Sequence, residues 1–332
     1  MVNGKLLIFV DLAAGLDDTG RGLLSFGSRL AGILDSSWGG VTSAFPDEET
    51  VASFGAYGVP AVVALADGDR LQDTPALLGK AVAQLAREEG GRVVVLPHND
   101  LGSILAPVVA AELDAALITE VIATRSRDGA LHLSRQALGG RVMETRVWDG
   151  GRSLVVTVPV RNLSQVLMPT VHPVVTDVST RPASAVDGEA LARVTGRVPP
   201  DPQTVDLTDA DVIFSAGKGC DQAVFEQLKD LCRLLNVSFG VTRPVFDLGW
   251  TGFERMVGQT GRTVTPRLYV ALGISGSMHH VGGIKDSRRI VAVNSDPKAP
   301  IFTNSDEGFV ADIREVLPRL LEQARAAAGG AA

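Results

Sequence analysis

Residues 268–302 read LYVALGISGSMHHVGGIKDSRRIVAVNSDPKAPIF, in which two apolar runs flank a turn rich in glycine and serine. The runs, residues 267–272 and 289–293, have the length and aliphatic content of buried strands. They end at GISGS and at Asn294-Ser295-Asp296-Pro297. Ligands in open α/β sheets bind at the carboxyl ends of strands, where glycine lets the backbone approach a phosphate. The stretch therefore predicts part of a parallel sheet with a ligand site at one edge.

The sequence before and after this stretch repeats the pattern. Two more strands are predicted at residues 211–215 and 237–241, with helices at 222–235 and 312–326. The new strands end at Ala216-Gly217-Lys218-Gly219 and at Thr242-Arg243-Pro244, and Pro244 suits the first turn of a helix. Four strands that end in small or polar residues predict a doubly wound α/β domain that holds a dinucleotide.

The N-terminal part also alternates short apolar runs with amphipathic stretches, which is the βαβ pattern of a mainly parallel sheet. Strands are predicted at residues 5–10, 61–65 and 92–96, and helices at 21–34, 74–89 and 101–113. Residues 131–148 and 153–160 alternate more strictly, so we expect strands joined at the turn Asp149-Gly150-Gly151, as a hairpin on the sheet edge. Asp17-Asp18 and His98-Asn99-Asp100 are interpreted as helix-start residues that include N-caps.

A proline-rich segment divides the chain. Residues 197–202 read RVPPDP, and three prolines in four residues favour a stiff, extended connector. We therefore expect an N-terminal α/β domain at residues 1–196, a linker at 197–204 and a second α/β domain at 205–326. Residues 327–332 are predicted to be a flexible tail.

Composition excludes several classes of function. The 332 residues include 45% hydrophobic and 5% aromatic residues and carry a formal net charge of −7, which argues against a nucleic-acid binder. No apolar run is long enough for direct membrane insertion. Cys220 and Cys232 fit neither a zinc site nor a redox pair, and His279-His280 lacks a third ligand nearby, so no metal is expected. Free thiols and the absence of a signal-like segment favour a cytoplasmic protein.

Four elements, in order, resemble the electron transfer flavoprotein alpha subunit. Ser215–Gly219 is similar to that family's SGGRG turn, and Thr242-Arg243 with Asp247 and Gly249 is similar to its SR-x-x-x-D-x-G element. Val257–Gly261 reads VGQTG, as the family does, and residues 268–302 resemble its signature. The N-terminal domain agrees more loosely, mainly in strand order and at Gly139-Gly140-Arg141.

The resemblance implies an FAD held in the second domain. The residues on the family's cofactor-contacting positions are Lys218, Thr242, Arg243, Val257, Gly258, Gln259, Thr260, Ser275, Gly276, Ser277, Met278, His279, His280, Asn294, Asp312 and Ile313. Among them, the resemblance implies that Arg243 lies against the isoalloxazine, that the Thr260 hydroxyl approaches flavin N5 and that His280 is near the pyrimidine edge.

These roles agree with simple electrostatics. Reduction by one electron puts negative charge on the flavin, and a permanently charged arginine favours that form. At 4 Å and an effective dielectric of 20 the attraction is about 4 kcal/mol before desolvation. The cofactor supplies the redox chemistry and the protein tunes it, so no acid or base is required and the chain is expected to be an electron carrier and not an enzyme.

Three positions depart from the family pattern. Lys218 replaces an arginine in the phosphate turn, Thr242 replaces a serine, and His279 replaces a glutamine. Lysine still meets a phosphate as a point charge, and threonine keeps the hydroxyl. Since an imidazole exchanges a proton near neutral pH, we hypothesise that His279 makes the flavin potential depend on pH around 6–7.

The resemblance also implies partners: a beta subunit in a heterodimer, flavoprotein dehydrogenases such as acyl-CoA dehydrogenases as donors, and a membrane quinone oxidoreductase as acceptor, as in fatty acid beta-oxidation.

One alternative is a bifurcating relative that oxidises NADH. A pyridine-nucleotide dehydrogenase would need a G-x-G-x-x-G turn and an acid about 20 residues on, and neither domain has both. A regulatory nucleotide-binding domain would not need Arg243, Thr260 and His280 together.

Overall fold

The computed structural model describes residues 4–66, 71–138, 142–159, 173–182, 192–196, 198 and 201–329. The chain divides into two compact units, residues 1–197 and 198–332, and the division falls within the proline-rich segment. In this described part of the chain, no helix is long and apolar enough to cross a membrane. The Gly139-Gly140-Arg141 stretch lies outside the described residues.

The first unit is built on a parallel sheet. Its strands are β1 (Lys5–Val10), β2 (Trp38–Thr42), β3 (Ala61–Leu65), β4 (Gly91–His98), β5 (Ala116–Ile118), β6 (Val121–Arg127), β7 (Ala130–Ala137), β8 (Val142–Trp148), β9 (Leu154–Pro159) and β10 (Asp177–Arg181). Its helices are α1 (Asp18–Leu34), α2 (Glu48–Ala56), α3 (Pro75–Glu88) and α4 (Asp100–Glu112). Seven strands pair in the order β10-β3-β2-β1-β4-β9-β5, all parallel.

The predicted hairpin across residues 149–151 is wrong, because β8 and β9 belong to different sheets. β8 pairs with β7 in a separate antiparallel sheet of order β6-β7-β8, whereas β9 lies between β4 and β5 in the parallel sheet. All six residues of β9 are buried. A strand that is apolar on both faces needs cover on both faces, which a central position in the sheet provides and an edge hairpin does not.

Both faces of the parallel sheet pack into apolar cores. Along β1, Leu6, Ile8 and Val10 belong to one core and Leu7 and Phe9 to the other, as the alternation of side chains along a strand requires. Each such side chain stabilises the fold by about 1.5–3 kcal/mol relative to leaving it exposed. Core side chains therefore cover both faces of this sheet, without a contribution from the loops at its carboxyl edge.

Two helix starts confirm the capping interpretation. The Asp17 carboxylate accepts a hydrogen bond from the backbone N–H of Gly20 at 2.7 Å, and Asn99 accepts one from Gly102 at 2.8 Å. Each bond satisfies one of the N–H groups that the first helical turn leaves without a partner. These residues at the carboxyl edge of the first sheet thus have a structural role.

The second unit is doubly wound, as predicted. Its strands are β11 (Val212–Ala216), β12 (Ser238–Val241), β13 (Leu268–Leu272), β14 (Ile290–Asn294) and β15 (Glu307–Val310), and its helices are α5 (Gln222–Leu235), α6 (Arg243–Asp247), α7 (Met278–Val281) and α8 (Ile313–Gly329). All five strands are parallel, in the order β12-β11-β13-β14-β15. The chain leaves β11 toward one side and later returns to β13 on the other, so the topological switch point lies between these two strands.

Residues on either side of the predicted second domain are also ordered. Residues 201–204, predicted as linker, are tied to the second unit, because the Ser238 hydroxyl donates to the Pro202 carbonyl at 2.7 Å and the Gln203 side chain donates to Val237 at 3.0 Å. At the other end, α8 continues to Gly329, so its last turn enters the segment predicted as a flexible tail.

Candidate functional site

A cleft lies at the carboxyl ends of β11, β12 and β13, around the switch point. Four segments line it: the turn after β11, the start of α6, residues 257–260, and the loop from Ile274 to His280. The carboxyl edge is the edge at which open α/β sheets bind their ligands. Most of the predicted contact positions therefore come together in one place.

Glycine backbones bring the turns after β11 and β13 into direct contact. A Cβ on Gly217 would lie 2.2 Å from the carbonyl oxygen of Gly273, and the Gly219 N–H donates to the same oxygen at 3.0 Å. Gly276 has φ +84, and a Cβ there would lie 2.4 Å from the backbone nitrogen of Ile301. Only glycine permits this packing, which leaves backbone rather than side chains at the floor of the cleft.

Thr242 lines the cleft with an unpaired hydroxyl. The residue is buried, it precedes α6 as its N-cap without capping it, and its Oγ1 has no hydrogen-bond partner among the described residues. A buried polar atom without a partner costs free energy, so its presence beside a cleft indicates a ligand that supplies the missing hydrogen bond. Together with the glycine floor, this hydroxyl fits a dinucleotide, which carries many such groups.

Arg243 brings the positive charge to the cleft, but it is paired. Its Nε donates to the Asp247 carboxylate at 2.8 Å, one helical turn further along α6. The guanidinium has four other N–H donors and its side chain is exposed. The pair therefore fixes the orientation of Arg243 and reduces, without cancelling, the positive potential at the cleft.

His280 is buried and both of its ring nitrogens have partners. Nδ1 lies 3.2 Å from the Val257 carbonyl oxygen, and Nε2 lies 3.1 Å from the Tyr269 hydroxyl. Burial lowers the pKa of His280 to about 4, so the ring is neutral at physiological pH. The sequence indicated His280 but not Tyr269, whose position in an apolar run is typical of a core residue.

His279 is exposed and paired with Gln259. Its Nδ1 lies 3.0 Å from the Gln259 side-chain oxygen, and its backbone carbonyl accepts a hydrogen bond from the Gln259 N–H at 2.9 Å. Gln259 itself does not line the cleft, but its hydrogen bonds hold His279, which does. Met278, also predicted as a contact, is 86% exposed and outside the lining.

The predicted contacts nearer the C-terminus also lie outside the cleft lining. Asn294 donates from Nδ2 to the Ile274 carbonyl at 2.8 Å and thereby holds the loop after β13. The Asp312 carboxylate accepts from the Arg314 side chain at 2.6 Å, which lowers the pKa of Asp312 to about 2. The Ile313 side chain is buried in the core. Conversely, the cleft is also lined by Gly217, Pro244 and Ile274, which the resemblance did not indicate.

Metal and thiol chemistry find no support. Among the described residues, no group of three His, Cys, Asp or Glu side chains could hold a metal ion. Cys220 and Cys232 are buried, free thiols, and burial raises their pKa values to about 11 and about 12. Neither thiol forms a reactive thiolate at neutral pH.

Comparison with known proteins identifies the family. A model described as the electron transfer flavoprotein domain matches residues 13–179, and one described as the electron transfer flavoprotein FAD-binding domain matches residues 206–285. The chain belongs to the electron transfer flavoprotein alpha subunits. The cleft-lining residues all lie inside the matched FAD-binding segment. The cofactor of the second unit is therefore FAD.

Relatives of this family match nearly the whole chain. The electron transfer flavoprotein subunit alpha of Syntrophomonas wolfei is 32% identical over 312 residues, 90% of each chain. The FixB protein of Rhizobium meliloti is 31% identical over 314 residues, 89% of this chain and 83% of its own. The acryloyl-CoA reductase electron transfer subunit beta of Anaerotignum propionicum is 29% identical over 330 residues, 90% of this chain and 89% of its own. Two of these three names specify electron transfer, and one of the two also specifies the enzyme served, acryloyl-CoA reductase.

Proposed function

We propose that this chain is the FAD-carrying subunit of a heterodimeric electron carrier that accepts electrons from flavoprotein dehydrogenases. The observation that carries the proposal is the cleft itself. It presents two cations, Lys218 and the paired Arg243, and a neutral buried imidazole, His280, over a floor of backbone. Such a lining favours charge on a bound flavin, whose redox chemistry needs no protein acid or base.

The chain's own residues divide the binding of FAD between them. Lys218 and the N–H groups of the turn after β11 would meet the pyrophosphate, since amide dipoles and a lysine attract anions. Thr242 would donate or accept the hydrogen bond that its hydroxyl lacks within the protein. Arg243 and Thr260 would face the flavin ring, and Asn294 would keep the loop of Ser275–Ser277 in place through Ile274.

A beta subunit is the partner that the family membership favours. The edge strand β8 exposes Val142, Met143 and Val147, each about half exposed. An edge strand that presents apolar side chains and unpaired backbone groups needs cover, and a second subunit can provide it. This exposure supports an obligate heterodimer. The two free thiols agree with a cytoplasmic location, which we include in the proposal.

Donors of the acyl-CoA dehydrogenase class and a membrane quinone oxidoreductase as acceptor complete the proposal, as in fatty acid beta-oxidation. The test is to co-express the chain with an electron transfer flavoprotein beta subunit and to mix the yellow complex with a substrate-reduced acyl-CoA dehydrogenase. We expect the visible flavin absorbance to fall within the mixing time. If the flavin stays oxidised with acyl-CoA dehydrogenases, that donor class is wrong.

A second candidate is a subunit that takes electrons from NADH in a bifurcating complex. The relative named as an acryloyl-CoA reductase electron transfer subunit favours including it in the test. Addition of NADH without any dehydrogenase distinguishes the two candidates. Direct reduction of the flavin by NADH would favour the bifurcating complex, and no reduction would favour the dehydrogenase-linked carrier.

A further inference from the structure

Tyr269 places a buried hydroxyl behind the FAD cleft. The residue lies on β13, is 0% exposed, and its hydroxyl is 3.1 Å from Nε2 of His280. The ring centroids are 6.0 Å apart and the ring planes are tilted by 51°, so the rings are not stacked face to face and the hydrogen bond is their polar contact. Tyr269 is not among the cleft-lining residues.

The partners of His280 determine where its proton is. A backbone carbonyl only accepts, so the Val257 oxygen at 3.2 Å requires that Nδ1 carry the hydrogen. In the neutral ring Nε2 is then an acceptor, and the Tyr269 hydroxyl is the donor that fills it. An imidazolium would have to donate from Nε2 as well, and the phenol would have to turn its own proton away. The titratable groups beside this ring are Tyr269 on β13 and His279, which precedes it on α7.

The same imidazole joins two walls of the cleft. Val257 begins the segment that ends at Thr260, and His280 lies on α7, which ends the loop that follows β13. Two backbone hydrogen bonds run alongside, from Gln259 to His279 at 2.9 Å and from Val264 to Gly283 at 2.8 Å. A ring turned away from Val257 would therefore loosen the contact between the walls that receive the flavin.

We propose that Tyr269 is a positioning residue, whose hydroxyl donates to Nε2 and so holds the His280 ring in one orientation, with its proton on Nδ1, so that the two walls stay in the arrangement that binds FAD. His280 then acts on the cofactor as a neutral polar group. The negative charge of a reduced flavin is left to Arg243. The inference concerns the FAD site alone and does not depend on which donors or acceptors the carrier uses.

The direct test is nitrogen-15 NMR of the histidine side chains in the FAD-loaded protein, which has five histidines. His280 is assigned by loss of its signals in a His280→Gln variant. We expect the shifts of a neutral ring with the proton on Nδ1, unchanged from about pH 5 to about pH 8. A ring protonated in this range, or one with its proton on Nε2, would overturn the proposal. This measurement does not require a Tyr269 variant to fold.

A pair of variants tests the hydroxyl itself. Tyr269→Phe leaves Nε2 without its donor, whereas Tyr57→Phe, at the only other tyrosine, removes a buried phenol from the first unit and serves as the control. In Tyr269→Phe we expect the His280 signals to move from those of the Nδ1–H tautomer toward those of a mixture of tautomers, and the Kd of FAD to rise about tenfold. Tyr57→Phe should match the wild type in both. Unchanged His280 shifts, or an unchanged Kd in Tyr269→Phe, would contradict the positioning role.

Discussion

Thr242 and Thr157 are both buried threonines, but they differ in whether the hydroxyl has a hydrogen-bond partner. Thr157 accepts from the Glu120 N–H at 3.0 Å and lies 2.9 Å from His98 Nδ1, whereas the Thr242 hydroxyl has no partner among the described residues. We expect Thr242→Val to raise the Kd of FAD about fivefold to tenfold and to change the stability of the apo-protein by under about 0.5 kcal/mol. FAD fluorescence titration and urea unfolding measure the two effects.

Thr157→Val is the matched control for that substitution. It should cost about 1–3 kcal/mol of stability, because the partly buried Glu120 N–H and His98 Nδ1 both lose the threonine hydroxyl, and it should leave the affinity for FAD unchanged. The interpretation of the Thr242 hydroxyl as a ligand contact fails if Thr242→Val destabilises the apo-protein as Thr157→Val does while FAD binds as before.

His279 gives the carrier a proton-linked group that a glutamine would not. An imidazole can carry a positive charge, which a glutamine side chain cannot, and a positive charge beside the flavin favours its negative form. We therefore expect the midpoint potential to vary more steeply with pH in the wild type than in His279→Gln. Potentiometric titration of both proteins from about pH 5 to pH 8 tests the point, and identical slopes would exclude a role for His279.

Site residues that belong to a sequence motif could be predicted, whereas residues that support the site from outside the cleft lining could not. Lys218 and Arg243 follow strand ends, Thr260 lies in the VGQTG element, and all three line one cleft. Tyr269 lies in the middle of a strand, where an apolar pattern predicts burial and nothing more. Asp312 carries a carboxylate that the side chain of Arg314 already pairs, and the sequence alone does not show that pairing.

At the scale of the elements, the contact between the turns after β11 and β13 forms the floor of the site. Gly217→Ala would place a methyl group 2.2 Å from the Gly273 carbonyl oxygen, and backbone must move to relieve the clash. We expect a loss of about 1–3 kcal/mol in stability and loss of FAD from the purified protein. Thermal unfolding and the visible spectrum measure these effects.

Gly32→Ala is the control for Gly217→Ala, because the same substitution should stabilise the protein at this position. Gly32 is inside α1 and a Cβ there would meet nothing within 4 Å, so alanine should stabilise the helix by about 0.5–1 kcal/mol. FAD content should stay at the wild-type level. If Gly217→Ala also keeps its FAD and stability, the two turns are not the rigid floor that the geometry indicates.

Strands with a clear apolar run were predicted closely, and two of the strands that were not predicted, β2 and β15, lack such a run. β1 and α5 have the predicted bounds, because burial on both faces of β1 and on one face of α5 leaves a strong pattern. β2 contains two glycines, and all four residues of β15 are exposed, so neither has an apolar signal. Their strand conformation comes from pairing with β1 and β14, which local sequence does not reveal.

For the whole molecule, the exposed apolar side chains of β8 predict dependence on a partner. We expect the chain expressed alone to be poorly soluble or to lose FAD, because this edge lacks cover. Co-expression with the beta subunit should give a stable yellow heterodimer. Size-exclusion chromatography with absorbance detection checks both forms, and a stable, flavin-loaded monomer would contradict the need for a partner.

The central claim is that the cleft at the switch point holds the flavin beside Arg243, and the midpoint potential of the bound FAD tests it most directly. Arg243→Gln removes the positive charge, and Asp247→Asn removes the carboxylate that Arg243 contacts at 2.8 Å. The account predicts that Arg243→Gln lowers the potential by roughly 50–100 mV and that Asp247→Asn raises it by a smaller amount. A potential that stays at the wild-type value in Arg243→Gln would contradict the account.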